Sequence, residues 1–196
     1  MSAQPLPNPT RIVSSNVEAT PVPQGRDEPG VETKREEIEL VEMFDGKIRR
    51  GIVARTTSSP ASNAGPLDDG TVAGSGIVQP GGVHSYFLDL APGFTTPMHR
   101  TVSTDFLMVQ KGTPTIITPK GAFSVGDGNK GDYAETEETA CAEGDVIVQR
   151  GQMHALSNRT DSWVRFWGVI VDAKVQEVKA ADGNGVKTLE EIWLQN

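Results

Sequence analysis

The chain has 196 residues, carries 18 Lys and Arg against 26 Asp and Glu, and holds a formal net charge of −8. An acidic surface repels phosphate backbones, which argues against nucleic acid as a partner. The lone cysteine, Cys141, excludes an internal disulfide and suits a reducing compartment. The opening MSAQPLPNPTR lacks the apolar core of a secretory signal, and no apolar run approaches the roughly 20 residues that span a bilayer. The expectation is a soluble cytoplasmic protein with no membrane partner. Its length fits one domain with a tail, or one enlarged domain. With 21 Gly and 13 Pro beside Val/Ile/Thr-rich segments, it should be built of short strands and many turns.

Residues 1–9 carry three prolines and no periodicity, and read as a flexible N-terminus. Residues 10–76 read as an N-terminal arm of strands and long loops. In it, Thr10 to Val22 contains short extended segments, and 23–37 (PQGRDEPGVETKREE) reads as a linker or solvated loop. Ile38 to Phe44 is ambiguous between strand and helix. Lys47 to Thr57 alternates Ile48, Arg50, Ile52, Ala54 and Thr56 on one face and reads as a strand. Ser58 to Gly76 is a long polar loop. A barrel domain is expected over 77–174, with strands at Val83–Leu90, Thr95–Val102, Asp105–Gln110, Thr113–Pro119, Asp145–Gln149, His154–Ser157 and Trp163–Val171. Residues 120–142 form a long hairpin excursion between them. In the tail, 175–196, Thr188 and Glu191 fit a capping box, and Leu189, Ile192 and Trp193 share a helical face. A short C-terminal helix packed on the barrel is expected.

Two stretches carry the chemistry. Gly93 to Gly112 reads GFTTPMHRTVSTDFLMVQKG, and Gly144 to Asn158 reads GDVIVQRGQMHALSN. Side chains alternate across a strand, so His99 and Thr101 face one side. Asp105 on the next strand shares its face with 107 and 109, and His154 reaches the same space only if the sheet closes. Two imidazoles and a carboxylate converging on one point match a facial metal triad, and they also suffice for acid–base work without metal. Arg165 alternates with Trp163 and Trp167; facing inward it would hold a carboxylate or phenolate, facing outward it is a sheet-surface residue. His84 reads as a surface or core histidine, and Cys141 as a small buried hydrophobe. Phe106, Met108, Phe166 and Trp167 read as core or dimer interface. No phosphate loop, nucleophile elbow or CxxC pair is present.

The first stretch resembles the first cupin motif, G-x5-H-x-H-x3/4-E-x6-G, with Thr101 where the second histidine usually stands and Asp105 where the glutamate stands. The second resembles the second cupin motif through its GD opening, Gly151-x2-His154 and Asn158. The HRTxSxD and VQRGxxHA patterns, with the opening PNPTRIV, are similar to a subgroup of small single-domain cupins, over about residues 77–172. The resemblance implies an all-β fold, a double-stranded β-helix (jelly-roll) barrel with an extended N-terminal arm, often a homodimer, with one pocket in the barrel mouth. Metal-binding cupins use three histidines and a glutamate. By motif position His99, Asp105 and His154 match and Thr101 does not, so one divalent metal (Fe, Zn, Mn or Ni) would be held by three side chains or by none. The implied function is a small-molecule lyase or isomerase, performing decarboxylation, dehydration or proton transfer on an oxygenated, polyketide-like biosynthetic intermediate. His99, Asp105 and His154 would be catalytic, with Thr101, Arg165 and Trp167 against the substrate. The alternatives are a non-haem iron dioxygenase and a non-catalytic small-ligand-binding cupin.

Overall fold

The structure, a computed structural model, describes residues 3–17, 24–63, 67, 76–180 and 185–195. Among them there is no α-helix, hence none long and apolar enough to cross a membrane; one 3-10 turn covers Asp127–Asn129. A six-stranded antiparallel sheet forms one wall. Its order is β12 (Val146–Arg150), β7 (Ser103–Lys111), β14 (Val164–Asp172), β5 (Val83–Leu90), β4 (Ile48–Thr56) and β3 (Val41–Met43). A three-stranded sheet of β11 (Thr136–Ala140), β8 (Thr115–Pro119) and β13 (Ala155–Ser157) forms the facing wall. Leu90, Leu107, Val109, Val164, Phe166 and Ile170 from the first wall meet Ile116 and Leu156 from the second, which closes the barrel around one apolar core. This is the all-β jelly roll expected from the motifs.

Alternation explains the inner face. On β7, Ser103, Asp105, Leu107 and Val109 are buried, while Phe106 between them is exposed. The two glycines that frame the first stretch both sit in the left-handed region, Gly93 at φ 70° and Gly112 at φ 81°. A Cβ at Gly112 would also come within 2.7 Å of Val164 Cγ1, so the turn after β7 admits only glycine without a shift.

Register aligns inward residues into rows across the wall. One row runs Gln149, Asp105, Ile170, His84 and Arg55 over β12, β7, β14, β5 and β4. The next runs Ile147, Leu107, Gly168, Tyr86 and Ile52. Gly168 leaves little room for a side chain there: a Cβ would lie 3.0 Å from Leu107 Cδ2 and 3.4 Å from Tyr86 Cε2.

Three segments differ from the sequence-based expectation. Part of the charged stretch 23–37 is a strand: β2 (Gly30–Glu37) pairs along its whole length with β1 (Thr10–Val17). Both strands are largely exposed, so charge density gave no sign of the pairing. Residues 3–9 are tied to the outer face of the barrel. Trp163 Nε1 donates to the Ala3 carbonyl, Arg49 Nη1 to that of Leu6 and Arg165 Nη2 to that of Pro7. The tail forms no helix. β15 (Gln176–Lys179) pairs with β16 (Val186–Leu189), and β17 (Ile192–Trp193) pairs with β6 (His99–Arg100). A helix of one or two turns gains little alone, whereas pairing with β6 satisfies the tail backbone and buries Leu194 against Met98, Ile117 and Met153. The excursion after β8 holds the short pair β9 (Val125–Gly126) and β10 (Lys130–Gly131) before β11. Most of the 58–76 loop lies outside the described residues.

Candidate active site

The core leaves a cavity of about 90 Å³ that opens to solvent. His99 and His154 are brought to it by a bridge in which each backbone amide donates to the other's carbonyl at 2.8 Å. Their rings lie 4.3 Å apart, centroid to centroid. Each Nδ1 sits beside a backbone carbonyl, His99 with Pro97 at 2.8 Å and His154 with Gln152 at 3.0 Å. A carbonyl only accepts, so each neutral ring carries its hydrogen on Nδ1 and keeps a basic lone pair on Nε2. Burial lowers the pKa of His99 from its ordinary value. It pushes His154 down to about 3, with the nearby His99 adding to the effect. Both rings are therefore neutral at pH 7, and a proton on one disfavours a proton on the other.

Asp105 stands across the cavity wall from this pair. Burial raises its pKa to about 6, against hydrogen bonds from Ser103 and Thr101 that hold it down. The Ser103 hydroxyl has one hydrogen, and where it goes to Thr101 Oγ1, 2.9 Å away, the Thr101 hydroxyl is left to donate to Asp105. Thr101 is thus a buried relay to the carboxylate, on the face shared with His99. Gln149, directly opposite Asp105 on β12, lines the cavity too.

The rest of the lining was not singled out by the sequence. Tyr86, Leu88 and Leu107 rise from the inner face, Met43, Phe44 and Ile48 from the edge of the same sheet. The Arg50 guanidinium lies 5.7 Å over the Tyr86 ring, and burial raises the tyrosine pKa. Trp193 of β17 stacks on His99 at 4.0 Å and 3°. It arrives through a strand pairing with His99, far away in the sequence, a distance over which local patterning carries no signal. Tyr86 had a weak signal: it shares the β5 face of Leu88 and Leu90.

Two of the expected substrate contacts are corrected. Arg165 and Trp167 lie on the outer face of β14, outside the cavity. Arg165 makes a two-pronged ion pair with Asp89, at 2.6 and 2.7 Å, and Trp167 Nε1 donates to Ser85 Oγ at 3.0 Å. His84 is buried against Tyr86 at 5.0 Å, with its Nδ1 2.8 Å from the Ile77 carbonyl. It lies in the inner row but does not line the cavity. Among the described residues no group of three or more His, Cys, Asp or Glu side chains is arranged to hold a metal ion. Each imidazole has Nδ1 on a backbone carbonyl and Nε2 free, the form in which histidine binds a metal, so His99 and His154 would hold one if it bound here; no step below passes through it.

No protein-family model matches the chain. It is 29% identical over 154 residues to each of two proteins of Diaporthe leptostromiformis, phomopsin biosynthesis cluster protein D and protein C', covering 76% of this chain and 74% of each relative. A cupin-2 domain protein of Rhodospirillum rubrum superposes with a TM-score of 0.42 at 12% identity, over 70% of both chains. The fold follows from the chain itself. The two wall sheets enclose one cavity, and an isolated bridge between His99 on β6 and His154 just before β13 brings the histidines of the two motifs together in it. The chain is a small cupin-fold protein.

Proposed function

We propose that the chain is a biosynthetic enzyme that moves a proton on an oxygenated small molecule, as an isomerase or a dehydrating lyase. The observation that carries this reading is the pair of buried neutral imidazoles, each with Nδ1 committed to a backbone carbonyl and Nε2 left basic. An apolar cavity with a few polar groups at its wall is the usual setting for such chemistry. Two relatives named as members of a biosynthesis cluster support the class.

In this mechanism His99 Nε2 takes a proton from carbon next to a substrate carbonyl. The electron pair moves to the carbonyl oxygen, and the Arg50 guanidinium and Tyr86 hydroxyl meet the charge that develops there. The imidazolium then returns its proton. Delivered to a second carbon it completes an isomerisation; delivered to a departing hydroxyl it releases water. His154 stays neutral beside the imidazolium, and Trp193 holds the His99 ring in plane.

The test is deuterium exchange from D₂O into the methyl group of acetophenone, with chelator-treated protein. Exchange faster than in buffer, lost in His99→Ala, is the expected result. A wild-type rate equal to buffer, an undiminished rate in His99→Ala, or a strict need for added metal overturns the reading.

A further inference from the structure

Three polar atoms on the cavity wall are buried with no hydrogen-bond partner among the described residues: Asp105 Oδ1, Gln149 Oε1 and Gln149 Nε2. They belong to facing residues on β7 and β12, and Gln149 is 2% exposed and Asp105 4%. Directly opposed residues bring their Cβ atoms within about 5 Å, so these groups address one volume. Buried polar groups in native proteins are almost always paired, and those left unpaired in a folded chain usually await something. Both residues line the cavity, which makes a ligand the natural partner.

The chemistry of the three atoms selects the ligand group. Gln149 offers one donor and one acceptor side by side, whichever way its amide is turned. Asp105 Oδ1, as a carboxylate, accepts. The complement is a group with one acceptor and two donors on neighbouring atoms. A primary carboxamide has that set: its carbonyl takes Gln149 Nε2–H, one N–H goes to Gln149 Oε1, and the other goes to Asp105 Oδ1. A carboxylate has no donor and would set negative charge against Asp105. A ketone satisfies one atom of the three and leaves two orphaned.

We propose that Gln149 and Asp105 form a subsite for a carboxamide on the substrate, so that the enzyme acts on amide-bearing rather than acid-bearing molecules. The proposal rests on the reading of the cavity as a small-molecule site and adds the class of its ligand. Leu107 and Leu156 supply the apolar flank for the ligand's remaining carbon frame.

The experiment compares three near-isosteric probes, benzamide, benzoate and acetophenone, by titration calorimetry against wild type and Gln149→Met at pH 7.5. The expected result is benzamide binding at least tenfold tighter than either other probe to wild type, with the preference erased in Gln149→Met. The ligand-free variant should also melt no lower than wild type, since the change removes two orphaned polar atoms from the interior. Gln149→Leu serves as a second variant if Gln149→Met does not fold. Absence of benzamide binding up to its solubility, equal binding of benzoate or acetophenone, or a preference that survives both variants overturns the proposal. Calorimetry needs no turnover. Amide preference without deuterium exchange removes only the catalytic reading, and exchange without amide preference removes only the subsite.

Discussion

The two faces of the six-stranded sheet carry similar polar residues in opposite states. On the outer face, Asp89 is fully buried between Arg165, which grips it with two bonds, and Arg49, 3.7 Å away. The remaining guanidinium hydrogens reach Leu6, Pro7 and Asn8 of the N-terminal segment. On the inner face, Asp105 and Gln149 are as deeply buried, yet keep three atoms unpaired. The difference separates structure from function: a satisfied buried cluster holds the chain in place, and an unsatisfied one lowers stability and persists where a ligand completes it.

Four substitutions would break or sharpen this contrast. The largest effect is expected at Asp89→Ala, which leaves two buried guanidinium groups without their carboxylate. A loss of about 3–5 kcal/mol is expected from chemical denaturation, and a loss below about 1 kcal/mol would mean that the outer cluster is not structural. Next is Asp105→Asn, tested against pH. The carboxyl has a folded pKa of about 6, above its ordinary 3.8. Its contribution is therefore fully present below pH 3.8 and is lost as pH rises to about 6. The roughly two-unit shift corresponds to about 3 kcal/mol. The stability of Asp105→Asn relative to wild type should rise by that order between pH 4 and pH 7. His154, neutral in the fold down to about pH 3, contributes the opposite slope in both proteins and drops out of the difference. A flat difference would show that Asp105 is not penalised by burial.

Trp193→Ala should cost about 1–2 kcal/mol through the lost stack and its apolar contacts. By admitting water it should also raise the His99 pKa towards its ordinary value, read from the imidazole proton shifts in an NMR titration. An unmoved His99 titration would show that the tail does not seal the site. The smallest effect is expected at Thr101→Val. Loss of its hydroxyl should cost about 1 kcal/mol and push the Asp105 pKa above 6, read from the side-chain carbon shift. A downward shift would rule out the hydroxyl as a donor to that carboxylate.

The parts of the site that were legible in the sequence are those that spacing alone controls. His99, Thr101, Asp105 and His154 were placed together because strand alternation and the two motifs leave little freedom, and all four line the cavity. Arg165 and Trp167 were misplaced because β14 carries apolar residues on both faces, so hydropathy alone does not mark its inner side. A register shift between Arg165 and Phe166 interrupts its pairing with β7 as well. Thr188 and Glu191 fit a helix start locally, but the tail is decided by pairing with β6, which local patterning does not encode. Tyr86, Arg50 and Gln149 became visible only once rows across the sheet were in register.

Gly168 adds a consequence for how such a barrel diverges. It occupies the row between Leu107 and Tyr86, where a methyl would crowd Leu107 at 3.0 Å and touch Tyr86 at 3.4 Å. Its backbone lies in an ordinary strand, so alanine meets no conformational barrier there, only those two side chains. One base change in a glycine codon therefore moves Leu107, a wall residue of the cavity, while substituting none of the site's polar residues. In descendants of this chain, the shape of the cavity wall and the identity of His99, His154, Asp105 and Gln149 can change independently.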